Sequence, residues 1–401
     1  RFCFVPTVPI FMIRLASLLF LALSVIGAPA SIAATIGPSP PQVAAKAYLL
    51  VDADSGAVLA EHNADMPLPP ASLTKMMTSY ILAREIGEGN IQETDMVTIS
   101  ENAWSQNPLF EGSSLMWIEP GKDVSISDLQ RGIIISSGND ATVAVAEHLA
   151  GSEAVFVEMM NTQAEKLGMV DTWYVNTHGL PHPEHMTTAR DLAILAGAMI
   201  RDHPEQYAIY KEREFTYNDI RQYNRNTLLA EDPTVDGLKT GHTEEAGYCL
   251  VASAERRGMR LISVVMGTSS KRSRKNETRS LLNYGFRFYE TSEIFPAMTE
   301  LDKPRVWKGQ EDYVPVGLQD STVLTLPRGK KKHLVTSVDL SDELVAPLAV
   351  GDEVGSVTLS LDGETVFRAP VVALQPVEPG GFFSRLWDML LMWIASLFST
   401  G

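Results

Sequence analysis

Apolar and polar positions follow different rhythms along this chain, and each rhythm predicts a kind of element. Near the start, residues 47–52 and 57–61 carry β-type apolar runs separated by Asp54-Ser55-Gly56, a composition that permits the positive backbone torsions of a tight turn, so they predict two strands of a hairpin. Residues 235–243, 248–254 and 259–267 repeat that pattern and predict consecutive antiparallel strands, with Glu255-Arg256-Arg257-Gly258 as a hairpin turn. Between these blocks the period lengthens to that of a helix. Ala71-Ser72-Leu73-Thr74-Lys75 opens an apolar helix that continues through Met76, Met77, Tyr80 and Ile81. Residues 128–135 predict a helix that Ser125 or Ser127 can cap, residues 140–150 another closed by Gly151, and residues 276–288 a further one.

From about Ser292 the rhythm shortens again. Residues 314–316, 322–326, 334–338, 353–361 and 365–372 read as short strands parted by Pro327-Arg328-Gly329 and Asp362-Gly363, and predict a small all-β domain. Lys330, Lys331 and Lys332 are expected at the solvated tip of a hairpin there. The last apolar run, 382–398, concentrates Trp387, Leu390, Leu391, Trp393 and Ile394 with Arg385 and Asp388 as its charges. A helix of that length spans about 25 Å, short for a bilayer, and its tryptophans suit a membrane interface. Pro376, Pro379, Gly380 and Gly381 are expected to loosen its connection to the β domain.

The other end of the chain reads as a leader. Arg14 precedes an apolar run over 15–26, and Ala28, Ala30, Ser31, Ala33 and Ala34 follow, the order of a secretory signal peptide cleaved after Ala30 or Ala33. Met12 is the expected start, with the preceding residues upstream of it. The expected organisation is therefore a leader with upstream residues over 1–34, a main domain over 35–291, a β domain over 292–378 and an amphipathic membrane-anchor helix over 379–401.

Composition narrows the partners. The 401 residues carry a formal net charge of −16, which argues against nucleic acid as a partner, because phosphate binding needs a basic face. Of the two cysteines, Cys3 leaves with the leader and Cys249 lies in an apolar strand, so no internal disulfide is expected in the mature chain. His178, His182 and His185 share one loop, but Gly179, Pro181 and Pro183 make it irregular and no cysteine or carboxylate trio completes a metal site. No metal and no cofactor are expected.

Three short strings in fixed order supply chemistry: Ser72-Leu73-Thr74-Lys75, Ser137-Gly138-Asn139 and Lys239-Thr240-Gly241. Each alone is weak; together they form a kit for acyl transfer through a serine ester. Ser72 sits near a helix N-terminus, where unpaired amides favour an oxyanion, and Lys75 lies on the same face one turn on. A serine hydroxyl needs a base, and a desolvated lysine near other cations can be held as the neutral amine, so Ser72 is the expected nucleophile and Lys75 its base. The turn between two helices points Ser137 and Asn139 into a cleft, one to relay a proton to the departing amine and the other to hold a peptide carbonyl. On an edge strand Lys239 and Thr240 face that cleft, while Gly241 lets a substrate backbone lie against the sheet. The cationic segment 271–275 offers donors to a carboxylate.

With Pro70 through Thr78, Ser137-Gly138-Asn139-Asp140-Ala141 and Asp236 through Thr243 in view, the chain resembles the low-molecular-mass penicillin-binding proteins that act as D-alanyl-D-alanine carboxypeptidases. The likeness extends over most of the mature chain, including Asn224-Arg225-Asn226 and Asn276-Glu277. It implies an α+β fold of the penicillin-recognising serine transpeptidase and β-lactamase type, with an antiparallel sheet flanked by helices and a helical cluster. It implies removal of the terminal D-alanine of peptidoglycan stem peptides through a Ser72 acyl-enzyme, inhibition by β-lactams, and a role in cell-wall biogenesis and cell shape. By the same resemblance the backbone N–H groups of Ser72 and His242 form the oxyanion hole, Arg274 meets the terminal carboxylate with Arg272 as the competing candidate, and Arg225 joins Thr240, Gly241 and His242 in binding substrate. Leader, final helix and resemblance together imply an exported protein held peripherally at the periplasmic face of the inner membrane. The alternatives are a β-lactamase of the same fold, against which stand Gly138 in place of an aspartate and the lack of a Glu-x-x-Leu-Asn string, or a wall-binding protein that no longer turns over.

Overall fold

A computed structural model describes residues 38–398. The leader expectation lies outside the described residues.

The sheet that organises the larger part is five-stranded and antiparallel, in the order Val58–His62, Ala47–Asp52, Met259–Thr268, Gly247–Arg256, Val235–Thr243. Side chains alternate between its two faces, and both faces are covered, which is why its strands read as nearly continuous apolar runs. Leu49, Val251, Ile262 and Val264 enter one core with Met76, Met77 and Leu192 from helices Lys75–Gly87 and Ala189–Asp202. Their neighbours Leu50, Leu250, Leu261 and Val265 enter a second core with Leu281 and Leu282 from the helix Lys271–Phe288. The first hairpin turns as its composition predicts: the buried Asp52 carboxylate accepts from the N–H groups of Asp54 (3.2 Å) and Ser55 (2.8 Å), and Gly56 takes φ +71°.

Three helices depart from their predicted limits. Ser125 is the cap, accepting from Asp128 N–H at 3.1 Å, but the helix it starts ends at Arg131 and gives way to a wider π-type turn over Gly132–Ser136. The helix predicted from Asp140 begins one residue earlier, Asn139–Ala150. The helix predicted from Asn276 begins at Lys271, because Ser270 caps it by accepting from Ser273 N–H at 3.0 Å. Its first turn is the cationic segment itself. Cations at a helix N-terminus are unfavourable; the last of them, Lys275, pairs with Glu231, which also takes Arg279 one turn further on.

Tyr289–Phe295 runs on from that helix and pairs with Thr322–Pro327. The five-stranded sheet beyond is ordered Thr299–Asp302, Val316–Leu318, Glu364–Ala373, Glu353–Leu361, Leu334–Leu340. The run predicted at 314–316 forms its strand two residues later, and 322–327 and 334–340 pair with different partners instead of with each other. The three lysines are therefore not a hairpin tip: Lys331–His333 is a short helical turn between two sheets, and Lys330 pairs with Asp362 at 2.8 Å. A polar joint ties this part to the first hairpin, with Thr291 donating to Asp52 at 2.6 Å and Ser55 and Thr325 hydroxyls 2.6 Å apart.

The final helix spans Phe382–Phe398, and no helix among the described residues is long and apolar enough to cross a membrane. Its connection is tighter than its prolines and glycines suggest. Asp388, 7% exposed, accepts from Lys308 N–H at 2.6 Å and Arg305 at 3.2 Å, while Phe383 on the same helix is 83% exposed. A carboxylate on the inner face, bonded to a backbone amide and a guanidinium, docks the helix.

Candidate active site

Ser72 lies in the helical turn Ala71–Thr74 that runs straight into the helix beginning at Lys75. Ala71 enters the turn with φ +49°, a left-handed value that costs an alanine about 1 kcal/mol or more and persists only where packing enforces it. That packing comes from two glycines. A Cβ on Gly179 would lie 1.9 Å from the Ala71 carbonyl oxygen, and one on Gly241 would lie 3.0 Å from the Pro70 carbonyl oxygen. Gly241 is thus glycine because the edge strand presses on the Ser72 turn, a reason the sequence reading assigned instead to substrate.

Lys75 is fully buried, and its ammonium nitrogen has three oxygen neighbours: Asn139 Oδ1 at 2.7 Å, the His178 carbonyl at 2.6 Å and Ser72 Oγ at 3.3 Å. Burial, reinforced by the charge of Arg225 and opposed by Asp140, brings its pKa down to about 7. A neutral amine has two hydrogens and one lone pair. Asn139 Oδ1 and the His178 carbonyl only accept, so they engage the two hydrogens and leave the lone pair for the Ser72 hydroxyl. Asn139 is itself fixed, its Nδ2 donating to Ser113 Oγ at 2.9 Å.

Ser137 follows the π-type turn in the left-handed region at φ +60° and accepts from Lys239 Nζ at 2.9 Å. Lys239 is 3% exposed and also donates to the Thr240 carbonyl at 3.2 Å. Burial, then the charges of Lys75, Arg225 and Arg274, push its pKa well below that of a free lysine. Gly138 has no room for a side chain: a Cβ would sit 2.7 Å from the Asp140 carboxylate and 2.9 Å from Met116 N. Asp140 holds the loop opposite by accepting from Met116 (2.8 Å) and Trp117 (2.8 Å) N–H groups.

The edge strand Val235–Thr243 carries the remaining groups. Arg274, buried, donates to the Gly241 carbonyl at 3.1 Å, while Arg272 is exposed, so of the two candidates Arg274 is the one against the strand. His242 stacks on Tyr248 across the strand pair, ring centroids 3.9 Å apart, and Arg274 lies over the same tyrosine ring. Arg225 donates to Ser114 Oγ at 2.5 Å, and Ser114 accepts from Asn139 N–H through its carbonyl at 2.8 Å. All ten expected site residues thus belong to one connected neighbourhood. It is cationic in a chain of net charge −16, and Lys75, Lys239, Arg225 and Arg274 together favour an anionic ligand.

Sequence reasoning missed several contributors. Ser113 and Ser114 sit in an irregular loop that no motif marks, and the signal for Asp140 is its position one residue past the second string. Among the described residues no group of three or more His, Cys, Asp or Glu side chains is placed to hold an ion. His178 serves Lys75 through its backbone, a role no side-chain pattern reveals. His185 Nδ1 accepts from Val175 N–H at 3.3 Å, so its Nε2 donates to Thr74 Oγ1 at 2.8 Å; burial holds the His178 and His185 rings neutral, with pKa values brought down to about 3 and about 4.

Two family models match the chain: "D-alanyl-D-alanine carboxypeptidase" over residues 34–270 and "Penicillin-binding protein 5, C-terminal domain" over residues 289–379. The D-alanyl-D-alanine carboxypeptidase DacC of Escherichia coli K12 is 47% identical over 380 residues, covering 93% of this chain and 95% of that protein. Among solved structures, penicillin-binding protein 5 from Haemophilus influenzae superposes with a TM-score of 0.83 at 44% identity, covering 85% of this chain and all of that one. Penicillin-binding protein D2 from Listeria monocytogenes, solved in a cefotaxime-bound form, matches with a TM-score of 0.57 at 30% identity over 62% of this chain and all of that one.

Proposed function

This chain belongs to the D-alanyl-D-alanine carboxypeptidase family and is a serine-type D-alanyl-D-alanine carboxypeptidase, and from that premise we propose that it works through an acyl-enzyme on Ser72 with Lys75 as the base. The observation that carries the assignment is the buried Lys75 nitrogen, 3.3 Å from Ser72 Oγ, with its two other neighbours both acceptors.

The neutral amine takes the hydroxyl proton as Oγ attacks the penultimate D-alanine carbonyl. The N–H groups of Ser72 and His242 hold the developing oxyanion, the kind of fixed donor pair that contributes most to such reactions. Ser137, bonded to Lys239, relays a proton to the departing D-alanine amine. Arg274, with Arg225, Thr240 and Gly241 lining the approach, pairs with the terminal carboxylate. That carboxylate offsets the buried positive charge and the positive end of the helix beginning at Lys271. Water then cleaves the ester. A β-lactam presents a carboxylate beside a reactive carbonyl and enters the same cycle as an inhibitor.

Acylation by this route requires Lys75 uncharged. Because its pKa lies near 7, the competent fraction grows from about a tenth one pH unit below to about nine tenths one unit above. The acylation rate for benzylpenicillin is expected to rise through pH 7 and level off above it. Arg225, Asp140, His178, His185 and Lys239 are the charged or titratable groups acting with it, and both histidines stay neutral across that range. A rate that falls over this interval contradicts the assignment.

We place the enzyme at the periplasmic face of the inner membrane, exported by its leader and held by the final helix, where Phe382, Phe383, Leu386, Trp387, Leu390 and Trp393 are exposed. Exposed aromatics along one helix suit the interface. Full-length protein should sediment with phospholipid vesicles and a chain ending at Pro379 should stay in the supernatant; sedimentation of the shortened chain would contradict the anchor.

A further inference from the structure

The carbonyl that grips Lys75 is held by a residue outside all three strings. We propose that Glu153 is a positioning residue for the base: it anchors the Thr177-His178 segment so that the His178 carbonyl keeps the Lys75 amine turned toward Ser72. This rests on Lys75 acting as the base.

Glu153 stands at the start of the helix Glu153–Leu167, its side chain 29% exposed, and its Oε1 accepts from Thr177 N–H at 3.0 Å and Thr177 Oγ1 at 2.8 Å. The same oxygen lies 3.5 Å from His178 Nε2. His178 Nδ1 accepts from Leu180 N–H at 3.2 Å, which in the neutral ring puts the proton on Nε2, facing Glu153. One carboxylate oxygen thus takes both Thr177 donors and lies against the ring of the next residue. The other side of the segment is pinned too: Thr78 donates to the Thr177 carbonyl at 2.8 Å, and Asn176 Oδ1 accepts from Gly179 N–H at 2.7 Å. What these bonds leave pointing into the site is the His178 carbonyl, 2.6 Å from Lys75 Nζ.

The consequence is directional. With both hydrogens of the neutral amine engaged, its lone pair has one place to go, the Ser72 hydroxyl. Releasing Glu153 frees the carbonyl to drift, and an acceptor displaced by about 1 Å lets the amine rotate, a misplacement worth up to about 100-fold in rate. Glu153 touches neither substrate nor reacting atoms, so its loss should spare the encounter with ligand.

The test is stopped-flow acylation by a fluorescent penicillin, with active sites counted by covalent label so that misfolded protein drops out. For Glu153→Ala the acylation rate constant per active site should fall about 10- to 100-fold, with the dissociation constant of the preacylation complex within about three-fold of the unsubstituted enzyme. Glu153→Gln, which keeps an acceptor for Thr177, should recover most of the rate. If Glu153→Ala does not fold, Thr177→Val, which loses the 2.8 Å bond, and Thr177→Ser, which keeps it, make the same comparison. An unchanged rate constant in Glu153→Ala, or equal damage in Glu153→Gln, overturns the anchor; so does an effect confined to the dissociation constant. Failure of the lysine reading would look different: the unsubstituted enzyme would then lack the rise through pH 7, and the anchor would fall with it.

Discussion

Replacing Ser72 with alanine reduces release of D-alanine from a synthetic pentapeptide by at least about 10⁴-fold, the scale on which an acyl-transfer enzyme depends on its nucleophile. The fold survives the change. Ser72 contributes one 3.3 Å contact to Lys75, and Lys75 keeps its 2.7 and 2.6 Å contacts with Asn139 and the His178 carbonyl. Thermal unfolding should therefore stay within about 2 °C of the parent, since surface and single-contact losses are worth about 0.5 kcal/mol. Activity and stability separate at this position. A variant that retained turnover would show that another group carries the acyl chain, and one that lost both would show that Ser72 is structural.

Gly138→Asp is the second large effect, and it bears on the β-lactamase alternative. The substitution writes Ser-Asp-Asn into the second string, yet the loop has no space for it. The new Cβ would meet Asp140 Oδ1 at 2.7 Å and Met116 N at 2.9 Å, and a second carboxylate would stand beside one already buried. Overpacking together with like charge costs at least about 3 kcal/mol, or a fall of about 6–12 °C in Tm for a domain of this size. The variant is expected to label poorly and to gain no penicillin hydrolysis; a stable variant that hydrolyses penicillin rapidly would reverse the reading of this loop. Asp140 is the reason for the glycine: by collecting the Met116 and Trp117 N–H groups it occupies the volume that a side chain at 138 would need.

The parts of the fold that were legible in the sequence are those ruled by local periodicity. The five strands of the larger sheet carry apolar residues on both faces, and their positions could be read because Leu49 and Leu50, or Val264 and Val265, are sent to different cores by simple alternation. What failed was settled by single caps or by distant partners. Ser270 starts its helix inside a cationic stretch that reads as a loop. The strand Thr322–Pro327 pairs back with Tyr289–Phe295 past three strands that lie between them in the chain, a choice that no local pattern encodes. Asp388 docks a helix whose linker looks loose, because one buried carboxylate on its inner face outweighs a flexible composition.

The site divides the same way. The side chains proposed as nucleophile and base could be grouped with their polar neighbours because acyl transfer needs particular side chains at fixed helical and strand spacing, and the structure brings Lys75 to Asn139 and Lys239 to Ser137 from positions 64 and 102 residues apart. Gly241 was read for a substrate that would lie on it, whereas its neighbours are Pro70 and Ala71 of the Ser72 turn. The histidine loop misled in the opposite direction. His178 attracts attention as an imidazole and acts through its carbonyl, and the glutamate that fixes it lies 25 residues away, at the start of a helix. Backbone groups carry no signature in a sequence, so a site that uses them is always larger than its motifs.

Mass spectrometry of the protein after benzylpenicillin treatment, followed by peptide mapping, tests the central assignment most directly. A single penicilloyl adduct on the peptide containing Ser72, absent from Ser72→Ala, is the predicted result; an adduct on any other residue, or one that persists in Ser72→Ala, contradicts it.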